Sequence, residues 1–349
     1  MTPPSPPLRF AILGYGRVAP THFDAIRALG ENATLAAVCD ADPAALARGV
    51  AETGSEGVPD LQGLLRRGDI DIICICTPSG LHAEHGIAAA RAGKHVVVEK
   101  PSDVSLKAAR RLVETCAEAG VHLFPIFQNR LNTTIQLLKA AVDRGRFGKI
   151  HAINSTVIWK RTQDYYDSAA WRGTRAMDGG AFMNQGIHFV DAMRHIGGEI
   201  VEVSAMLGTL SRQMECEDTG SALFRFQSGA LGNIFVTMLG DKDREGSLTV
   251  LGEHGCVKIG GVALNTIETW DFAEADPEQD ALARDADYHT ASVYGNGHKA
   301  FYRQVLETLQ SNIPPAPRDC DLGTLKTIEA IYSWITVIKA ETMKMPEVP

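Results

Sequence analysis

The sequence has no CxxC pair, no block or stripe of lysine and arginine, and no apolar run long enough to span a bilayer. Each absence excludes a class. Without paired cysteines at ligand spacing there is no zinc site, and no other metal is expected. The seven cysteines are an odd number, and Cys74-Ile75-Cys76 alternates along one apolar strand. They read as buried free thiols in a reducing cytoplasm. The missing basic stripe, with a formal net charge of −8, argues against a nucleic-acid partner. A few arginines can still build a local positive pocket for a small anion. The proline-rich start, Met1 to Pro7, carries no apolar signal region. A cytoplasmic protein with no membrane partner is therefore expected. No repeat occurs at solenoid periods.

What is present is the composition of a soluble globular chain: 349 residues, 45% apolar and 22% charged. That length suits two domains. The first is predicted over residues 1–128 and the second over 129–349. In the first, short β-branched runs alternate with helical patterns, the signature of an α/β doubly wound sheet. A buried strand at 9–13 runs into Gly14-Tyr15-Gly16-Arg17-Val18-Ala19, and a helix follows. GxGxxA in that context predicts a dinucleotide cradle. Gly14 permits the tight turn, Gly16 lets the backbone approach a pyrophosphate, and Arg17 and Val18 open the helix beside it. Asp40 ends the second strand, where a carboxylate accepts ribose hydroxyls and repels a 2′-phosphate. The expected cofactor is NAD rather than NADP. Asp42, directly before Pro43, is the better cap for the next helix.

The strand at 71–76 ends in Thr77-Pro78-Ser79, with His82 opening a helix. The apolar run 94–98 then stops at Glu99-Lys100-Pro101, since proline cannot continue a central ladder. Ligands of open parallel sheets bind outside such carboxyl ends. Thr77, Pro78, His82, Glu99 and Lys100 thus join the candidate cofactor site, and Lys100 is also a candidate for catalysis.

The second half offers a substrate site. Arg130 ends Gln128-Asn129-Arg130. Tyr165, Trp171 and Arg172 lie in a polar, aromatic, arginine-bearing stretch from Arg161 to Arg175. Arginine can take phosphate or carboxylate oxygens bidentately, and aromatic rings can pack on a base or sugar. Asn184 and His188 are four apart, so they are predicted on one helix face, with Asp191 near it. Five runs between 200 and 259 alternate as an antiparallel meander with one covered face. The acidic segment 273–287 is expected as a surface loop. A helix starts near Asn296, where His298 either opens it or approaches the substrate. Pro314-Pro315-Ala316-Pro317 reads as a rigid link, and a last helix is predicted over 322–340.

Gly14-Tyr15-Gly16, Thr77-Pro78-Ser79 with His82, Glu99-Lys100-Pro101 and the run from Gly179 to Asp191 occur in that order. Together they resemble the Gfo/Idh/MocA family of NAD(P)-dependent sugar oxidoreductases, over nearly the whole chain. The resemblance implies an N-terminal Rossmann domain and a C-terminal α+β domain on a large, mostly antiparallel sheet that commonly serves oligomer contacts, with a homotetramer expected. It also implies a cis Lys100-Pro101 bond. Many members carry aspartate where this chain has Asn184, so an Asp–His acid–base pair is absent. Asn-Gln before the histidine, with Gln128-Asn129-Arg130 and Trp171-Arg172-Gly173, is similar to the subgroup that oxidises C3 of UDP-N-acetylglucosaminuronate for bacterial surface polysaccharides. A nucleotide sugar is the expected substrate. Some relatives keep NADH bound and regenerate NAD with 2-oxoglutarate, a trait the residues leave open. His188 is read as the base and Lys100 as the orienting and proton-relaying partner, with the reverse open. The alternatives are a dehydrogenase of UDP-N-acetylglucosamine or of a free sugar or cyclitol, and a non-catalytic dinucleotide sensor.

Overall fold

Strand and helix alternate over the first 127 residues as the apolar periodicity predicts. The computed structural model describes residues 6–290, 293–311, 314–315 and 322–333. Strands β1 (Leu8–Leu13), β2 (Ala33–Cys39), β3 (Glu56–Val58), β4 (Ile72–Ile75), β5 (His95–Val98) and β6 (Leu123–Pro125) form a sheet in the order β3-β2-β1-β4-β5-β6. Every pairing is parallel. Helices α1 (Ala19–Arg27), α2 (Pro43–Thr53), α3 (Leu61–Leu65), α4 (His82–Arg91) and α5 (Leu106–Glu118) connect successive strands. The central strands β4 and β5 are apolar on both faces because helices cover both. Strand order reverses between β1 and β4, which opens a crevice at their carboxyl ends. Asp42 caps α2 as expected, accepting from the Ala44 amide at 2.9 Å.

Helix α6 (Thr133–Asp143) leads to a second sheet. Its strands are β7 (Ile150–Ile158), β8 (Ile200–Gly208), β9 (Thr219–Phe226), β10 (Leu231–Thr237), β11 (Glu245–Gly252), β12 (Gly255–Gly260) and β13 (Thr266–Phe272). They lie in the order β13-β12-β11-β7-β10-β9-β8, and only β7 and β10 are parallel. Between β7 and β8 come α7 (Gln163–Asp167), a π turn (Phe182–Gly186) and α8 (Ile187–Gly197). Inward residues such as Ile153, Phe224, Ile234 and Val250 pack with Phe189 and Met193 of α8. Among the described residues no element covers the other face, where Met206, Leu223 and Leu231 are exposed. The fold is the expected α/β Rossmann sheet followed by a mostly antiparallel one.

Two expectations fail. β13 has no counterpart in the sequence reading, and the acidic segment is not all loop. It contains α9 (Pro277–Arg284), capped by Asp276, which accepts from the Gln279 amide at 3.1 Å, with Pro277 in the first turn. Asp-Pro is the same start signal that marks α2; the high charge masked it. Helix α10 (His298–Gln310) returns to the first sheet, where Phe301, Tyr302 and Val305 join the core around Phe10 and Ile12. Helix α11 (Leu322–Ser333) packs under the second sheet through Leu325, Ile328 and Ile331. Its predicted extension to 340, residues 316–317 of the proline link and Cys320 lie outside the described residues.

Candidate active site

A cavity of about 600 Å³ opens at the carboxyl ends of β1, β2, β4 and β5 and reaches α8. Gly14, Gly16, Arg17 and Val18 form one wall. Gly14 has φ +90°, and a Cβ there would stand 2.8 Å from the Cys76 carbonyl, so only glycine fits. At Gly16 a Cβ would meet nothing within 4 Å, which leaves open space beside the start of α1. Such a helix start, bare of side chain, suits a pyrophosphate. Asp40 lines the cavity at the end of β2 and accepts from the Tyr15 and Asp42 amides at 2.7 and 2.8 Å. The nearby Arg48 donates to the Tyr15 carbonyl at 2.6 Å and does not line the cavity. These residues fit NAD; a 2′-phosphate would face a carboxylate.

Thr77 and Pro78 follow β4, and His82 stands below them. The buried His82 ring lies 2.7 Å from the Thr77 carbonyl and 2.6 Å from that of Pro101. It ties the turn after β4 to the turn after β5. Burial lowers its pKa. The Lys100-Pro101 bond is cis.

Lys100 Nζ donates to the Asn184 carbonyl at 2.8 Å. Burial pushes the amine below the usual lysine range, and the Glu99 and Asp178 carboxylates only partly oppose it. Glu99 accepts from the Lys100 amide at 3.1 Å through Oε2 and meets His22 Nε2 at 3.0 Å through Oε1. Burial alone would raise this carboxyl, but the His22 bond and the neighbouring cations hold it well below the ordinary range.

The segment before His188 is a π turn, not the plain α-helix that i,i+4 spacing assumed. π turns disturb the i→i+4 ladder and are frequent at functional sites. Here the Asn184 carbonyl meets Lys100, and its side-chain amide donates to Asp178. His188 lines the cavity next to them, edge-on to Phe127 at 6.3 Å. Its Nδ1 is buried without a hydrogen-bond partner among the described residues. Burial, then the Lys100 charge, pushes it down to about 3.

Tyr165, Trp171 and Arg172 also line the cavity. Arg172 donates to the Tyr165 hydroxyl at 2.7 Å, and its guanidinium lies 4.4 Å from both ring centres. Arg161 and Arg17 approach the same Tyr165 ring at 5.5 and 5.4 Å. Three guanidinium groups from two domains thus gather round one phenol.

Arg130 is a correction. It makes a bidentate pair with Asp191, at 2.7 and 2.5 Å, stacks on Phe127 and does not line the cavity. Asp191 faces Arg130 and Thr324 rather than His188. The sequence reading did not single out Trp159, Arg161, Asp178 and Tyr294. Arg161 stood in the arginine-bearing stretch and Asp178 one residue before the glycine pair, but neither position announces its neighbour. His22, Glu99 and His298 have donor atoms within 4.8 Å of one another. We read a hydrogen-bonded cluster rather than a metal centre, because His22 already bonds Glu99 and Lys100 lies beside it.

A glycine cradle, an acid at the end of β2 and a lysine–histidine floor in one crevice are the arrangement of a dinucleotide-dependent oxidoreductase. The chain belongs to the Gfo/Idh/MocA oxidoreductase family. The NAD-binding Rossmann model of that family matches residues 8–127, and its C-terminal domain matches 135–258. Among solved structures, the WlbA dehydrogenase of Bordetella pertussis in complex with NADH and UDP-GlcNAcA is 44% identical, with a TM-score of 0.90 over 95% of this chain and 96% of that one. The myo-inositol 2-dehydrogenase of Thermotoga maritima is 27% identical over 88% of this chain and 90% of its own length. The match to the 1-carboxy-3-chloro-3,4-dihydroxycyclohexa-1,5-diene dehydrogenase of Comamonas testosteroni, at 29% identity, spans 65% of this chain but only 57% of that enzyme's length. The cofactor is NAD and the reaction is that of a sugar dehydrogenase.

Proposed function

We propose that the substrate is UDP-N-acetylglucosaminuronate and that its C3 hydroxyl becomes a ketone. The observation that carries this reading is the arginine wall. Arg17, Arg161 and Arg172 surround Tyr165 in the cavity that also holds Lys100 and His188. A free sugar needs no such charge, whereas a diphosphate and a carboxylate match it. The likeness to WlbA, bound to NADH and UDP-GlcNAcA, supports the same choice. Tyr165, Trp171 and Arg172 would hold the nucleotide sugar, with Asn184, Lys100 and His188 around the reacting carbon.

When bound, NAD supplies the hydride acceptor. This chain handles the hydroxyl proton. Free-residue acidities favour His188 as base because an imidazole is largely unprotonated near pH 7, but burial weakens it further. An imidazole pushed down to about 3 is neutral at pH 7 and holds a proton poorly. Lys100, whose amine burial brings below the usual lysine range, takes the proton as the ketone forms. His188, which lines the same cavity, orients the hydroxyl.

The same reading places the enzyme in the cytoplasm, in the making of surface polysaccharide. Among the described residues no helix is long and apolar enough to cross a membrane. The exposed apolar side chains of the second sheet support a homotetramer in this reading, and 2-oxoglutarate is the oxidant that would regenerate NAD in place. Oxidation of a free cyclitol is the second reading, which the likeness to the Thermotoga enzyme favours. A sensor needs neither Lys100 nor His188.

The test is a panel of UDP-sugars, free sugars and myo-inositol with NAD or NADP, with and without 2-oxoglutarate. Reduced nicotinamide and substrate loss are both followed. Turnover of the UDP-uronate with NAD is expected. Turnover confined to a free sugar or cyclitol would overturn the substrate, and NAD binding without any turnover would favour the sensor.

A further inference from the structure

One buried cluster is not explained by cofactor or substrate binding. His22 is fully buried in α1. Its Nε2 meets Glu99 Oε1 at 3.0 Å, and its Nδ1 meets the Tyr302 hydroxyl at 2.7 Å. Tyr302, on α10, lies 3.2 Å from Cys74 Sγ of β4. This chain of contacts joins α1, α10, β4 and the turn after β5 behind the cavity floor.

We propose that His22 is a positioning residue for the proton transfer: it holds Glu99 as a carboxylate in one orientation, and Glu99 in turn sets the charge and direction of Lys100. The proposal rests on the dehydrogenase reading but not on the identity of the sugar. Glu99 is 8% exposed, and an unpaired carboxylate at that depth is strongly disfavoured. Its neighbours decide its state. Lys100 adjoins it in sequence, His82 faces it from α4, Cys76 follows β4, and His188 faces it from α8. His298, on α10, stands 4.0 Å from Oε1, too far for a hydrogen bond, and burial pushes it down to about 4. Of these side chains only His22 is hydrogen-bonded to the carboxylate. Lys100 in turn feels Glu99 and Asp178 as anions and Arg161 and Arg172 as cations. Among the described residues its ammonium makes no ion pair within 4 Å, so Glu99 acts on it through the field and through the Lys100 amide.

The sign follows. Without His22, Glu99 takes up a proton. Lys100 loses an anion that favoured its charged form, and its titration moves to lower pH by about one pH unit or more. The free amine is then a weaker base, and hydride transfer slows several-fold on the high-pH plateau, where Lys100 is unprotonated in both proteins, while the acidic limb moves to lower pH. His22→Gln presents an amide donor near Nε2 and keeps both properties largely intact.

The experiment uses full-length protein in two arms. In the first, lysine labelled with 13C at Cε reports the Lys100 titration with no substrate present, its signal assigned by loss in Lys100→Arg. In the second, single-turnover reduction of bound NAD is followed against pH with whichever sugar the wild type oxidises. NADH affinity and melting temperature are measured for each variant. The expected result is a Lys100 titration and acidic limb shifted downward in His22→Ala and restored in His22→Gln, with NADH affinity unchanged. A His22→Ala variant that only melts earlier, with the Lys100 titration in place, would overturn the proposal. So would activity lost to a chelator and restored by zinc. The first arm stands even if every nucleotide sugar proves inert.

Discussion

Lys100 and His188 both need burial for the reaction geometry, yet burial lowers the proton affinity of each. A lysine starts about four pH units above a histidine, and His188 is pushed down to about 3, so we predict that Lys100 is the base. Lys100→Met should therefore slow single-turnover hydride transfer by about 100- to 10,000-fold while NADH affinity is kept. His188→Gln should cost less, and the neutral limb of the pH profile should survive in it. Stopped-flow absorbance of reduced nicotinamide measures both. A limb that disappears with His188 instead would restore the histidine as base. Sequence made the two residues visible because each sits in a spaced motif. It could not show their acidity, which depends on a cavity built from two domains. Arg130 marks the same boundary. Nothing in Gln128-Asn129-Arg130 tells that residue 191 will claim the guanidinium.

At the level of the element, two glycines two residues apart have opposite requirements. Gly14 needs both its positive φ and its missing side chain, because Cys76 backbone lies 2.8 Å away. Gly16 needs only the space. Gly14→Ala should lower the melting temperature by several degrees, from strain of roughly 1–3 kcal/mol. Gly16→Ala should leave melting unchanged and weaken NADH binding at least about tenfold, which fluorescence titration reads. The start of the π turn has a requirement of its own. The Phe182 amide and the Tyr332 hydroxyl both donate to Glu217, at 2.9 and 3.0 Å. Burial pushes that carboxyl from 4.5 up to about 7, so the folded state binds the proton more tightly than the unfolded chain does. Its contribution to stability is full below pH 4.5 and is lost as pH rises through 7. Glu217→Gln should flatten the fall in melting temperature between pH 5.5 and 8. An equal fall in the variant would clear Glu217 of that role. The glycine cradle was legible because its rule is local. The π turn was not, since Glu217 and Tyr332 reach it from 35 and 149 or more residues away.

Across the whole molecule, periodicity foretold two sheets and the parallel or antiparallel character of each. It was silent on which sheet α10 would join, because a helical stripe carries no address. Among the described residues one apolar stripe is left uncovered. On β8, β9, β10 and β11 the outward residues Met206, Leu223, Leu231, Phe235 and Leu251 are exposed, Met206 by 61% and Leu223 by 60%. Register sets them side by side: Asn233, between Leu231 and Phe235, is opposite Leu223, and Leu251 is opposite Ala152 across β7. A contiguous apolar face of this kind marks an interface. It lies on the side of the sheet away from α8, so its loss need not disturb the active site. Covering each large side chain is worth about 1.5–3 kcal/mol, and symmetry repeats that gain in every subunit. We predict that the wild type sediments as a tetramer of the 37.7 kDa chain. Leu223→Glu with Phe235→Glu should bury two unpaired charges per interface and dissociate it, with NADH still bound by the smaller species. Sedimentation velocity decides the matter. A wild type that is already monomeric, or a double variant of unchanged mass, would mean that this face does not hold the subunits together.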